Sequence, residues 1–536
     1  MPTLRSNPFP SAPPPAAARL RVGKLCVAIQ AGSAEELIAR AERVLSDTKF
    51  IELRLDALAK PTPALSRVKD FLAAHRDVVA IATCRRKEHG GQFAGSLKTE
   101  LEVLARAAQA GCQIVDIEIE SAEEAAPRQW DGLRATLREA GAALLVSFHD
   151  FVRTSNLEQA ARRIEVFRPD FVKVVSTARS LADNLAVLKL ISELSLTSEV
   201  VGIAMGEEGL VSRVLGLRAG AAFTFASSSA GPDAGPALAT APGQVGLRTL
   251  RDLYRAEQLD KATRIFGVAG DPIAHSVSPL MQNTAFRRAG VNAVLLPLKT
   301  RDLQDLLTLA RELPLAGAAV TMPLKQEVLP YLANSGQKNL DPLTSRIGAC
   351  NTLRTGADGR LYGFNTDVAG VVGPLEKRLA LRGARIAILG AGGAARAAVF
   401  GLAARGAEVF VVNRTHESAV KLAREARAKA LRREQLARNR FDVLINSTPC
   451  GMAGGQPSLP IGENELNAGL VFDMVYNPME TPLLKLARKR GIPVVTGLEM
   501  FVEQGARQFE IWTGKPAPEA EMLRVVELEL RKRGEG

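Results

Sequence analysis

From Leu25 onward, short apolar and β-branched runs alternate with amphipathic stretches at an even spacing. Strand-like runs fall at 25–30, 50–56, 78–85, 114–120, 143–150, 171–178, 200–206 and 221–227. Helix-like stretches such as Ala34–Ser46, Lys98–Ala110 and Leu181–Leu194 lie between them. Eight such units over roughly 230 residues predict an α/β fold, a closed (β/α)8 TIM barrel. A doubly wound open sheet is the alternative, but it rarely needs eight even repeats.

Period-two alternation identifies the inner face. In Ile51-Glu52-Leu53-Arg54-Leu55-Asp56 the polar residues share one face and the aliphatic ones the other. The 114–120 run repeats this with Asp116, Glu118 and Glu120, and the 78–85 run adds Thr83 and Arg85. Helices must pack on an apolar outer face, so these groups are expected in the lumen, paired with one another and with a polar ligand. Lys173 is the only charge inside Phe171-Val172-Lys173-Val174-Val175. A desolvated lysine tends toward the neutral amine, a nucleophile for carbonyls, whereas an isolated one at a strand end would simply snorkel. The preceding run ends Ser147-Phe148-His149-Asp150, which places a candidate base toward the same barrel mouth. Arg213 follows the seventh strand and suits a carboxylate clamp. The Gly-, Ser- and Pro-rich stretch from Ser227 to Gln244 reads as a lid.

The second half begins near residue 260, after a helix-like stretch Val245–Leu259. Its strongest motif is a strand, 385–389, entering Gly390-Ala391-Gly392-Gly393-Ala394 and then an alanine-rich helix. Such glycines let backbone N–H groups approach a pyrophosphate at a helix start. The next strand ends in Asn413-Arg414-Thr415, where an NAD site would want an acid; a cation here suits a 2′-phosphate and predicts NADP. The 264–366 segment carries Ser276 and Ser278 at a helix start, Thr321 and Lys325 after a strand, Asn351, and Asn365-Thr366-Asp367. Taken singly, these are ordinary caps, turns or solvated charges.

Composition narrows the partners. Hydrophobic residues make up 46% of the 536, and no run approaches a membrane span. Five scattered cysteines without a CxxC and five scattered histidines argue against a disulfide framework and against a metal cluster. The net charge of +12 is spread over amphipathic segments, with no dense basic tract, so small anions are expected rather than nucleic acid. Residues 1–20 lack a secretory h-region and read as a disordered tail of a cytoplasmic protein; a transit peptide is the weaker alternative.

The motifs Glu52-Leu53-Arg54, Thr83-Cys84-Arg85 with Gly90-Gly91, Ser147-Phe148-His149-Asp150, Phe171-Val172-Lys173 and Ala241-Pro242-Gly243-Gln244 together resemble type I 3-dehydroquinate dehydratase. That resemblance implies a barrel over 21–260 in which Lys173 forms an imine with 3-dehydroquinate and His149 moves protons. It assigns Glu52, Arg54, Arg85, Arg213, Thr240 and Gln244 to substrate. The chain departs from the family at Thr240, where serine is usual, and at His89, where glutamate precedes the Gly-Gly pair; Glu88 lies one residue earlier.

The second half is similar to shikimate dehydrogenase. Besides the clusters above, it carries Asn446-Ser447-Thr448-Pro449, Asp473-Met474-Val475-Tyr476-Asn477-Pro478 and Gly497-Leu498-Glu499-Met500 in order. The resemblance implies a substrate lobe at 261–367, a Rossmann NADP lobe at 368–515 and a C-terminal helix at 516–536. It makes Lys325 and Asp367 an acid–base pair reducing 3-dehydroshikimate to shikimate. Ser276, Ser278, Thr321, Asn351, Tyr476 and Gln504 would bind substrate, with Met474 and Gly497 at the cofactor. A quinate dehydrogenase, or a regulatory relative without chemistry, is the alternative reading.

Overall fold

The computed structural model describes residues 20–228, 240–274, 276–334, 339–453 and 458–534. Residues 1–19 of the proposed tail, most of the proposed lid (229–239) and His275 lie outside the described residues. The chain divides into two compact units, Met1–Lys261 and Ala262–Gly536.

In the first unit, β1 (Leu25–Gln30), β2 (Phe50–Arg54), β3 (Val79–Thr83), β4 (Ile114–Glu118), β5 (Ala143–His149), β6 (Phe171–Thr177), β7 (Glu199–Met205) and β8 (Thr224–Ser227) form one parallel sheet. Seven ladders run in the order β7-β6-β5-β4-β3-β2-β1-β8. At the seam, Ala222 N–H donates to Val200 O at 2.8 Å just before β8 begins. The alternation read from sequence sorts the two faces. Outward residues meet helices such as Leu157–Glu165, whose Leu157, Ala160, Ala161 and Ile164 are buried.

The lumen itself is stratified. Near the strand starts, Phe223 meets Phe50 edge-on at 5.0 Å and Phe171 at 5.7 Å, filling that end with aromatic carbon. One residue pair further along the same strands, the lumen turns ionic, with Glu52, Asp116 and Lys173 all buried. This layering satisfies both demands on the barrel, an apolar floor for stability and a polar ceiling for chemistry.

Two expectations need correction. Glu120 does not point into the lumen, because β4 stops at Glu118 and the chain turns into the helix Ile119–Glu124. Glu120 instead pairs with Arg163 at 3.1 Å on the outside. The stretch Val245–Leu259 is not one helix. It forms two short helical turns, Thr249–Leu253 and Ala256–Gln258, interrupted by Arg255 at φ 53°.

In the second unit, β9 (Arg264–Gly270), β10 (Ala293–Lys299), β11 (Leu315–Val320), β12 (Thr352–Thr355) and β13 (Leu361–Phe364) make a sheet ordered β10-β9-β11-β12-β13. β12 runs antiparallel to both neighbours. A second sheet holds β14 (Arg385–Leu389), β15 (Glu408–Val412), β16 (Lys429–Ala430), β17 (Phe441–Asn446), β18 (Ala468–Asp473) and β19 (Val494–Val495). It is parallel throughout, in the order β16-β15-β14-β17-β18-β19. The order reverses between β14 and β17, where doubly wound sheets open a crevice for a dinucleotide.

The helix Gly497–Thr513 ties the two sheets together. Leu498, Val502, Phe509 and Trp512 join the core on the first sheet, while Met500 joins the core of the second. The last helix, Glu519–Gly534, folds Met522, Val526 and Leu530 back onto the first of these cores.

Candidate active sites

The barrel mouth encloses a cavity whose wall includes Glu52, Arg54, Arg85, His149, Lys173, Arg213, Thr240 and Gln244. All the residues assigned to this half from sequence therefore meet in one place. Lys173 Nζ lies 2.8 Å from Asp116 Oδ2, 3.9 Å from Glu52 Oε1 and 4.3 Å from the centroid of the Phe225 ring. Burial pushes the Asp116 carboxyl up, but Lys173 and Arg85 outweigh it and hold it well below the usual carboxylate range. The lysine predicted to stand in an apolar strand thus has a charged partner waiting in the lumen.

His149 Nδ1 sits 3.0 Å from Glu118 Oε2, a contact that assigns the Nδ1 proton and leaves Nε2 free as a base. Burial, reinforced by Arg85 and Lys173, drops the imidazole well below its ordinary value, so it is neutral at neutral pH. Burial also pushes Glu118 up, against the pull of Arg85. Ser147 Oγ bridges the pair of acids, 2.6 Å from Asp116 and 3.0 Å from Glu118. Arg54 is occupied by Asp56 through two bonds of 2.8–2.9 Å.

Arg213 stands apart. It is only 1% exposed and, among the described residues, has no carboxylate partner. One Nη donates to Pro242 O at 2.9 Å, and its Nε has no partner. Burial alone pushes it down to about 10. A buried, uncompensated guanidinium is costly, by several kcal/mol, unless an anion completes it. Beside it, Gln244 Oε1 accepts from Thr240 N at 2.7 Å and from Thr240 Oγ1 at 3.1 Å, so threonine does supply a hydroxyl at that position.

Glu88 and His89 do not line the cavity. Both turn to Arg86, at 2.6 Å and 3.1 Å, with Glu124 on the same guanidinium. Asp116 and Glu118 are the residues that sequence reasoning placed in the lumen without assigning a task. Strand alternation puts them on the right face but does not say which cation or imidazole each one touches.

In the second unit, Lys325 Nζ lies 2.7 Å from Asp367 Oδ2. Asn351 Nδ2 donates to Asp367 Oδ1 at 2.8 Å, and Asn351 Oδ1 accepts from Thr366 N at 2.8 Å. Thr366 Oγ1 contacts Gln504 Oε1 at 3.4 Å, and Gln508 Nε2 donates to Thr352 Oγ1 at 3.1 Å. Three helices and the residue before β12 thereby bring Lys325, Asp367, Gln504 and Asn351 into one network. Thr366 is a member that the residue-by-residue reading left unassigned. Thr321 N–H donates to Ala269 O at 2.9 Å, which sets it at the end of β9, the strand leading to Ser276 and Ser278. Ser276 Oγ accepts from Ser278 N at 3.2 Å at the start of the helix Ser278–Arg288. Tyr476 stacks on Phe501 with centroids 4.7 Å apart.

Comparison with known proteins agrees with this division. The model for type I 3-dehydroquinase matches residues 25–261. The shikimate dehydrogenase substrate-binding model matches 268–353, the shikimate/quinate 5-dehydrogenase model 375–451 and the shikimate 5′-dehydrogenase C-terminal model 497–527. A chloroplastic bifunctional 3-dehydroquinate dehydratase/shikimate dehydrogenase of Arabidopsis thaliana is 32% identical over 519 residues, covering 92% of this chain and 82% of the relative. The chain belongs to that bifunctional family. The NADP(+) shikimate dehydrogenase of Methanosarcina acetivorans is 41% identical, covering 50% of this chain and 98% of that one. The pentafunctional AROM polypeptide of Yarrowia lipolytica is 31% identical, covering 87% of this chain and 30% of the relative.

Membership in the bifunctional 3-dehydroquinate dehydratase/shikimate dehydrogenase family implies a nicotinamide cofactor, and the second sheet has the shape for one. Gly390 stands at φ 111° between β14 and the helix Gly393–Ala404, and a side chain there would strike Ser447 Oγ at 2.6 Å. At Gly392 and Gly393 a Cβ would meet no atom within 4 Å, so the helix start faces open space, and no side chain caps it. Its free N–H groups suit a pyrophosphate. At the end of β15, Arg414 is exposed, with no carboxylate partner among the described residues. Asn413 Nδ2 donates to Thr415 O at 3.0 Å, shaping that turn. Met474 N–H is held by Asn446 O at 2.9 Å on the far side of the crevice. The helix start at Gly497 packs so closely that a Cβ there would lie 2.3 Å from Val475 O.

Proposed function

We propose that Lys173 and His149 carry out a dehydration and Lys325 with Asp367 a reduction, on successive substrates of one pathway. The chain is a bifunctional shikimate-pathway enzyme. It dehydrates 3-dehydroquinate to 3-dehydroshikimate and reduces that product to shikimate, with NADP as the nicotinamide cofactor. The observation that carries the first half is the meeting of Lys173, His149 and the unpaired Arg213 on one cavity.

Arg213 with Gln244 takes the substrate carboxylate, and Glu52, Arg54 and Arg85 take its hydroxyls. Lys173 Nζ adds to the C3 ketone, His149 takes up the proton that the nitrogen sheds and passes it to the departing oxygen, and loss of water leaves an imine. The protonated imine draws electrons from C2 and acidifies its hydrogen. His149 Nε2, free because Glu118 holds Nδ1–H, removes that proton and returns one to the departing C1 hydroxyl. Hydrolysis releases Lys173. Borohydride with 3-dehydroquinate tests the assignment. Mass spectrometry should find the reduced adduct on Lys173, and an adduct on another residue contradicts it.

In the second half, a bound NADPH would supply the hydride for the carbonyl carbon. Lys325 donates a proton to the carbonyl oxygen, held in place by Asp367, which Asn351 in turn orients. Ser276 and Ser278 take the carboxylate, while Thr321, Asn351, Tyr476 and Gln504 line the ring hydroxyls. Arg414 and Thr415 would hold the 2′-phosphate, and the glycine turn would hold the pyrophosphate.

A further inference from the structure

A second cavity, of about 600 Å³, opens on the dehydrogenase unit among residues that the two reactions leave unused. Its wall carries three arginines, Arg264, Arg354 and Arg507, against one acid, Glu510. The volume lies in the range of small-molecule pockets. Arg507 is matched to Glu510 at 3.1 Å. The other two have no carboxylate partner among the described residues. Arg354 is flanked by the rings of Tyr362 and Phe364, 6.0 and 5.9 Å from their centroids, and its buried Nε has no hydrogen-bond partner. Arg264 lies 5.1 Å from the centroid of Phe266 and gives one bond, Nη2 to Trp512 O at 2.6 Å. That carbonyl belongs to the negative end of the helix Gly497–Thr513, so Arg264 already neutralises the feature of the wall that would repel an anion.

We propose that this cavity binds a small dianion, a phosphate or a dicarboxylate, with its oxygens shared between Arg264 and Arg354, and that its occupancy acts on the reduction step. Planar guanidinium groups match such oxygens in pairs of bonds, and both here lie beside aromatic rings, Arg264 exposed and Arg354 half-buried. The route to the reduction site is short. Trp512 Nε1 donates to Leu353 O at 2.9 Å, and Gln508 Nε2 reaches Asn351 O at 3.3 Å. The strand that presents Arg354 to the cavity is therefore fastened to the same helix that holds Asn351, the partner of Asp367. This coupling rests on the reduction assignment; the binding does not.

The test uses the full chain with NADP+ and shikimate saturating, titrated with inorganic phosphate and separately with malonate, and read by calorimetry. Arg354→Gln and Arg264→Gln are each compared with the parent, so that anions held elsewhere cancel. A saturable component that weakens at least tenfold in both variants is the expected result. Which of the two anions shows it identifies the headgroup. Equal binding in parent and variants, or no binding in the millimolar range, overturns the site. In the parent, the same anion should shift the dehydrogenase KM for 3-dehydroshikimate while leaving dehydration of 3-dehydroquinate unchanged. Binding without that shift overturns the coupling, and absence of any reduction overturns the assignment beneath it.

Discussion

Three residues set the chemistry of the barrel, and each makes a separable prediction. Arg213 is buried without a carboxylate partner among the described residues. Arg213→Ala should therefore raise the dehydratase KM by about 100-fold, the loss of a charge-assisted bond of about 3 kcal/mol, measured by steady-state kinetics. Glu118 acts through His149. Glu118→Gln keeps the shape but no longer assigns the Nδ1 proton, so kcat should fall on the order of 100-fold with little change in KM. The pH profile carries its own sign. Burial holds His149 well below its ordinary value of 6.5, so the neutral base persists as pH falls. The acid limb of dehydratase kcat/KM should therefore lie below pH 6.5, and a limb above that value would show the imidazole to be charged in the free enzyme. Lys173 is legible in the bare chain as the one charge inside an apolar run, His149 because the run before it ends there, and Arg213 because it follows the seventh strand. Glu118 and Asp116 are legible only as lumen residues, because their partners come from strands far away in sequence.

At the scale of elements, period and alternation carry most of the fold. They fail where a strand ends early. Glu120 continues the alternating pattern of β4, yet the chain turns into a helix one residue before it and carries it outside to Arg163. The stretch 245–259 has helical spacing, but Arg255 at φ 53° breaks it into two turns. The glycine turn after β14 is readable because the backbone itself is the binding group. The end of β15 is readable because one residue type there decides between two cofactors. Arg414→Ala should weaken NADPH binding by about 1–2 kcal/mol, roughly tenfold, and leave NADH binding unchanged in a direct titration. Gly243, at φ 65°, would place a Cβ 2.2 Å from Gly206 O. Gly243→Ala should therefore displace Gln244 from Thr240 and raise the dehydratase KM without altering reduction.

At the scale of the molecule, one chain holds two lysines in unlike settings. Lys173 is buried beside a carboxylate in the lumen, a setting that suits the covalent imine proposed for it. Lys325, partly exposed, is held at the start of the helix Leu324–Asn334 by Asp367, which Asn351 in turn orients, a setting that suits the proton transfer proposed for it. The sequence order of motifs reveals both halves, because most motifs sit at the end of a strand or the start of a helix, while Phe171-Val172-Lys173 opens a strand. The arginine-lined cavity of the second unit is not legible in it, since Arg264, Arg354 and Arg507 are far apart in the chain and belong to no motif. The most direct test of two sites in one chain is NADPH consumption by the purified protein given 3-dehydroquinate alone, with the parent beside Lys173→Ala. The parent should consume NADPH unaided, and the variant only when 3-dehydroshikimate is supplied, then at the parental rate. A variant that still consumes NADPH from 3-dehydroquinate, or a parent that does so only after a separate dehydratase is added, would contradict the account.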